Sequence, residues 1–176
     1  MGDSIVVLVM GVSGSGKTTV GQALAKQLNF EFSDGDDFHS EANRAKMHSG
    51  QALTDEDRQP WLETIATHIK SWLVEQKNVV LACSALKESY RRTLIGDAEK
   101  RIPILFLDGT FECLHDRMLR RHHPFMNASL LQSQFDTLEK PKNAIYLDAS
   151  QNIATIVETA LKELSPWVTA PLGVND

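Results

Sequence analysis

The sequence predicts an α/β domain built on one doubly wound sheet of five parallel strands. Short aliphatic runs alternate with longer amphipathic stretches, the pattern of parallel strands covered by helices. The first run leads directly into Gly11-Val12-Ser13-Gly14-Ser15-Gly16-Lys17-Thr18, a glycine-rich loop with a lysine and a hydroxyl at its end. A stretch with helical character follows at once, which is the strand-loop-helix setting that a phosphate cradle requires.

The first strand is expected at 5–10, and the helix after the loop at 19–28. A second strand is expected at 31–34. Leu62, Ile65, Ile69, Trp72 and Leu73 then recur at helical spacing, behind a Thr54-x-x-Asp57 start that resembles a capping box. Pro60 is placed in the first turn of that helix, and the apolar stripe is read as core packing. Further strands are expected at 78–83, 102–107 and 144–147. Residues 1–165 form a single domain in this reading, and 166–176, with two prolines and a glycine, a loosely held tail. The loop after the last strand, 148–152, is the expected edge of a base pocket.

With 176 residues and 42% apolar content, the chain can bury one core without splitting. The net charge of −5 provides no overall field favouring nucleic acid or an anionic membrane surface, so a small soluble substrate is expected. The N-terminal apolar run is only a strand long and lacks a preceding basic stretch, unlike a signal peptide or membrane span. Cys83 and Cys113 have no Cys-x-x-Cys spacing and suit reduced thiols in a cytoplasmic protein.

The loop carries the first chemistry. Gly11, Gly14 and Gly16 let backbone N–H groups, including those of Val12, Ser13 and Ser15, turn inward around phosphate oxygens. The following helix, through Thr19, adds its N-terminal partial charge. Lys17 supplies a cation and Thr18 a hydroxyl for Mg²⁺. A guanine-reading Asn-Lys-x-Asp segment is absent, as is an Asp-x-x-Gly after a strand, and the chain is short for a motor ATPase. A small-molecule kinase remains. At the end of the second strand, Asp34-Gly35-Asp36-Asp37-Phe38-His39 places carboxylates at the sheet edge where ligands of open α/β folds bind. Phosphoryl transfer needs an acceptor for a hydroxyl proton and a carboxylate near hydrated Mg²⁺, and two aspartates flanking Gly35 can serve both tasks. His39 lacks a partner His or Cys at metal-binding spacing.

Further strings follow in order: Lys46-Met47-His48-Ser49-Gly50, then Leu53-Thr54-Asp55-Glu56-Asp57-Arg58-Gln59-Pro60-Trp61-Leu62, then Cys83-Ser84-Ala85-Leu86-Lys87 with Tyr90-Arg91, and Leu130 to Phe135. Together with the aspartate cluster, they resemble the gluconate kinases, a P-loop family related in fold to shikimate and nucleoside monophosphate kinases. The resemblance covers 9–141. It implies a three-layer P-loop kinase fold with a mobile lid, a homodimer, and ATP- and Mg²⁺-dependent phosphorylation of D-gluconate on its terminal hydroxyl. Lys17 would then neutralise the β- and γ-phosphates, Thr18 would ligate Mg²⁺, and Asp34 would hold the metal through water. Asp36, placed like the substrate-binding aspartate of shikimate kinases, would accept the hydroxyl proton. For the gluconate carboxylate Arg58 is the first choice, with Lys87, Arg91, His39 and Ser84 behind it. A kinase for another sugar acid, shikimate or a nucleoside monophosphate is the nearest alternative. A non-catalytic ATP-binding regulator is the alternative from another class.

The lid is expected at about 116–128. Arg117 and Arg121, one helical turn apart, would close over the γ-phosphate and shut out water, with Arg120 pointing elsewhere. Where gluconate kinases typically read x-Gly-His-Phe-Met, this chain has His122-His123-Pro124-Phe125-Met126. Loss of the glycine hinge and gain of proline are expected to alter lid motion.

Overall fold

The computed structural model describes residues 3–121 and 127–168. Strand β1 (Val6–Met10) is buried along its whole length because it lies at the centre of the sheet. It pairs in parallel with β3 (Val79–Ala82) on one side and β4 (Ile104–Asp108) on the other. The edges are β2 (Glu31–Asp34) and β5 (Ile145–Asp148), giving the order β2-β3-β1-β4-β5. Every pairing is parallel, so all the strand-end loops expected to carry chemistry emerge along one edge of the sheet. The five expected strands are all present, with ends shifted by a residue or two.

Parallel strands buried on both faces need helices above and below. Helix α1 (Lys17–Leu28) ends at Asn29, whose φ of 57° provides the left-handed turn into β2. Gly21 lets α1 approach the sheet closely, since a Cβ there would lie 2.8 Å from Phe32. The short α2 (Glu41–His48) starts at Ser40, whose side chain accepts from the Asn43 N–H. Helix α3 (Asp55–Val74) begins with the expected capping box: Asp57 N–H donates to Thr54 Oγ1 at 3.1 Å, and Thr54 N–H to Asp57 Oδ2 at 2.8 Å. The Lys46 ammonium, 2.6 Å from Asp57, and the Thr54 N–H hold this carboxyl at about 2, below its ordinary range. Leu62, Ile65, Ile69 and Leu73 face the core as their spacing predicts, each fully buried side chain contributing about 1.5–3 kcal/mol. Pro60 corrects one expectation. Counting from Thr54, it occupies the second turn, where its ring removes a hydrogen bond to the carbonyl four residues back.

The remaining helices are α4 (Glu88–Ile95), α5 (Phe111–Arg121), α6 (Ala128–Thr137) and α7 (Ile153–Val168). Helix α7 extends through Pro166 to Val168, three residues into the stretch expected to be a loosely held tail. The rest of the expected tail and the lid string 122–126 lie outside the described residues. Among the described residues, no helix is long and apolar enough to cross a membrane.

Candidate active site

The glycines of the loop after β1 adopt the conformations expected of them, but two of the N–H groups expected to face phosphate are already bonded, Ser13 N–H to Gln134 Oε1 at 2.6 Å and Ser15 N–H to the Val12 carbonyl at 3.2 Å. Gly14 and Gly16 have φ of 78° and 101°, and a Cβ on Gly11 would lie 2.7 Å from Ser15 Oγ. Gly16 is the residue before α1, so the loop ends on the helix N-terminus. Lys17 Nζ donates to the Val12 carbonyl at 3.0 Å. Burial lowers its pKa, opposed chiefly by the Asp36 carboxylate. Thr18 Oγ1 donates to Asp34 Oδ2 at 2.8 Å, joining the start of α1 to the end of β2.

Gly35–Phe38 forms a 3-10 turn, capped by Asp34 Oδ1 accepting the Asp36 N–H at 3.0 Å. Two side chains outside the turn brace it. Trp61 Nε1 donates to the Gly35 carbonyl at 2.7 Å, and Arg44 donates to the Asp37 carbonyl at 3.0 Å and the His39 carbonyl at 3.3 Å. A backbone held from both sides presents Asp36 in a fixed direction. Burial raises the Asp36 pKa above its ordinary value, with Lys17 the main opposing charge.

His39 stacks on Trp61, with ring centroids 4.1 Å apart and an interplanar angle of 13°. Asn43 Nδ2 donates to the Asp57 carbonyl at 2.9 Å, which fixes the orientation of this amide. The same nitrogen lies 3.4 Å from His39 Nδ1, so that ring nitrogen accepts and the proton resides on Nε2. Burial, then the Arg44 and Arg58 charges, lowers the His39 pKa to about 4. An unfolded chain would take up this proton near 6.5, whereas the folded chain declines it until about 4. The His39 contribution therefore makes stability fall as pH drops through that window. Melting temperatures of the wild type and His39→Gln, compared between pH 7 and 4, should show a shallower acid decline in the variant. Equal slopes would contradict a neutral, buried His39.

Arg58 Nη1 donates to the Leu53 carbonyl at 2.8 Å and to Tyr90 Oη at 3.2 Å. The Tyr90 hydroxyl in turn bonds Asp55. One edge of the guanidinium is thus anchored to neutral oxygens of the protein. Lys87 and Arg91, named from sequence beside Arg58, are placed differently. Lys87 is paired with Asp55 at 3.0 Å, outside the cavity. Arg91 is 5% exposed and donates to the carbonyls of Ala85, Leu86 and Glu139 at 2.7, 3.2 and 2.8 Å. It holds the chain after β3 against the segment after α6, using three of its five N–H donors there.

A single cavity of about 390 Å³ joins these parts. Lys17, Thr18 and Thr19 line it together with Asp36, His39, Arg58 and Ser84. Arg117 and Arg121 from the end of α5 also reach it, as their helical spacing predicts, and Arg117 donates to the Ala149 carbonyl in the loop after β5. Arg120 is exposed and does not line the cavity. Trp61 adds a wall that the sequence reading left unassigned, and Gln134 on α6 adds another.

A family model described as shikimate kinase matches residues 13–166. The gluconokinase of Arabidopsis thaliana is 39% identical over 179 residues, covering 92% of this chain and 95% of the relative. That of Gluconobacter oxydans is 47% identical over 135 residues, covering 77% and 75%. The crystal structure of a gluconokinase from Sinorhizobium meliloti superposes with a TM-score of 0.84 at 41% identity over 94% of each chain. The chain belongs to the gluconokinase family. Shikimate kinase from Aquifex aeolicus, at 18% identity and a TM-score of 0.56, shares the fold. The cavity runs from the glycine loop to Arg58.

Thr18 and Asp34 also suit Mg²⁺. A hydroxyl and a carboxylate are hard oxygen donors, already brought within 2.8 Å of each other at the start of α1. Among the described residues no group of three or more His, Cys, Asp or Glu could hold a metal alone; an Mg²⁺ ion bound here would complete its shell with phosphate oxygens and water.

Proposed function

We propose that this protein phosphorylates D-gluconate with ATP, giving 6-phospho-D-gluconate and ADP. The observation that carries the reading is the cavity that joins Lys17 and the glycine loop to Asp36, His39 and Arg58 in a chain of the gluconokinase family. The Gly14 and Gly16 N–H groups, the N-terminus of α1 and Lys17 bind the phosphates, and Arg117 and Arg121 approach from α5. Mg²⁺, held by Thr18 and through water by Asp34, would supply charge neutralisation at the phosphates.

Arg58 binds the gluconate carboxylate with the guanidinium edge that faces the cavity. Neutral His39, with its proton on Nε2, donates to a hydroxyl, and Ser84 offers a further hydroxyl contact. This leaves the far end of the acceptor at Asp36. The Asp36 carboxylate accepts the proton of the terminal hydroxyl while that oxygen bonds to the γ-phosphorus and the bond to the β-phosphate oxygen breaks, releasing ADP. The reading includes a homodimer working in the cytoplasm, supported by the family resemblance and by the free thiols of Cys83 and Cys113.

The test is ADP release from Mg·ATP against gluconate, other sugar acids, glucose, shikimate and nucleoside monophosphates, with Lys17→Ala as control. Turnover confined to gluconate and lost in the control is the expected result. Preference for a different acceptor would overturn the substrate assignment, and ATP binding without any turnover would favour a regulatory role.

A further inference from the structure

The apex of the glycine loop lacks packing of its own. Gly14 has φ of 78°, and a Cβ there would meet nothing within 4 Å. Bonds within the loop hold its base: Ser15 N–H and Lys17 Nζ both donate to the Val12 carbonyl, at 3.2 and 3.0 Å. The apex is held from outside. Ser13 N–H donates to Gln134 Oε1 at 2.6 Å, and Gln134 Nε2 donates to Ser13 Oγ at 2.8 Å. A backbone N–H can only donate, so the first bond fixes the amide orientation and makes the Ser13 hydroxyl the acceptor in the second.

Helix α6 reaches the acceptor side as well. Its capping residue Asn127 lies against Gly50 just beyond α2, where a Cβ would be 3.0 Å from Asn127 Nδ2. Leu130 and Ser133 line the same cavity. Helix α6 therefore meets the segment after α2 with its capping residue, lines the cavity with Leu130 and Ser133, and holds the phosphate loop with Gln134.

We infer that Gln134 is a positioning residue for phosphoryl transfer, its side-chain amide fixing the Val12–Ser13 peptide and the Ser13 hydroxyl and thereby aiming the loop apex at the transferring phosphate. The base of the loop, Lys17 and the α1 N-terminus still bind nucleotide when Gln134 is lost, so the effect falls on turnover more than on ATP affinity. The inference rests on the proposed ATP-dependent kinase activity, which wild-type turnover tests separately.

Gln134→Met keeps side-chain volume and helix propensity while removing both bonds. It is expected to lower kcat on the order of tenfold to a hundredfold, the usual cost of a misplaced reacting group. The dissociation constant for ATP should change much less, and the melting temperature should stay close to wild type. Gln132→Ala, on the same helix but bonded to Asp136, should leave turnover unchanged. In a cycle with Ser13→Ala, the double variant should lose less than the product of the two single losses, because they share one contact. Unchanged kcat in Gln134→Met would overturn the inference. So would an equal loss of ATP affinity, a fall in melting temperature matching the fall in kcat, an equal effect of Gln132→Ala, or simple multiplication in the cycle.

Discussion

Asp36→Asn should lower kcat by about 10²–10⁴, the range supplied by a positioned general base, while ATP affinity stays near that of the wild type. The amide has the shape of the carboxylate but cannot take the hydroxyl proton. The Asp36 N–H still caps onto Asp34 Oδ1, and Trp61 and Arg44 still hold the turn, so the fold around the site is retained. The pH profile offers a second readout. Burial raises the Asp36 pKa, so the acid limb of kcat/KM should lie above the range of a solvated aspartate and report loss of the ionised base as pH falls. Near-normal turnover in Asp36→Asn would remove Asp36 from this role.

Replacing Arg58 should separate the two ends of the cavity. Charged hydrogen bonds are worth about 1.5–3 kcal/mol each, so Arg58→Ala should raise the KM for gluconate on the order of tenfold to a hundredfold. The Kd for ATP should hardly change, because Arg58 is bonded to Leu53 and Tyr90 rather than to the phosphate loop. Arg58→Lys should recover only part of the loss, since an ammonium keeps the charge but cannot present a planar fork. Equal weakening of ATP and gluconate in Arg58→Ala would mean that the residue supports the fold instead of binding the acceptor.

The sheet was legible because each strand is a local aliphatic run and the glycines mark the loop that follows the first. The helix carrying Arg58 announced itself through Thr54 and Asp57, which satisfy each other within four residues. Nucleotide binding was legible for the same reason, since Gly11 to Thr18 is contiguous, and the kinase class followed from the missing guanine-reading and Asp-x-x-Gly segments and the short chain. The acceptor assignment drew on the family resemblance, and composition alone could not supply it.

Long-range geometry was harder to read. Lys87 and Arg91 carry the charge a sugar acid needs, but their direction depends on how the chain turns after β3. Ala85 adopts φ of 45° there, and Arg91 binds the carbonyls of Ala85 and Leu86, turning its guanidinium away from the cavity. Gln134 meets Ser13 across 121 positions with no motif joining them. Trp61 carries no role in the sequence beyond its place in the Pro60-Trp61-Leu62 string. Its buried indole N–H needs an acceptor, and the Gly35 carbonyl at 2.7 Å makes it a brace for the catalytic turn.

Transfer of the γ-phosphoryl group of ATP to the terminal hydroxyl of gluconate leaves its signature in the product. The most direct measurement is phosphorus and carbon NMR of the product formed from Mg·ATP and gluconate by the purified protein, with Asp36→Asn in parallel. A phosphate ester on the terminal carbon, formed by the wild type and scarcely by the variant, is the expected product; a phosphate on another position, or inorganic phosphate in place of an ester, would contradict the proposed transfer.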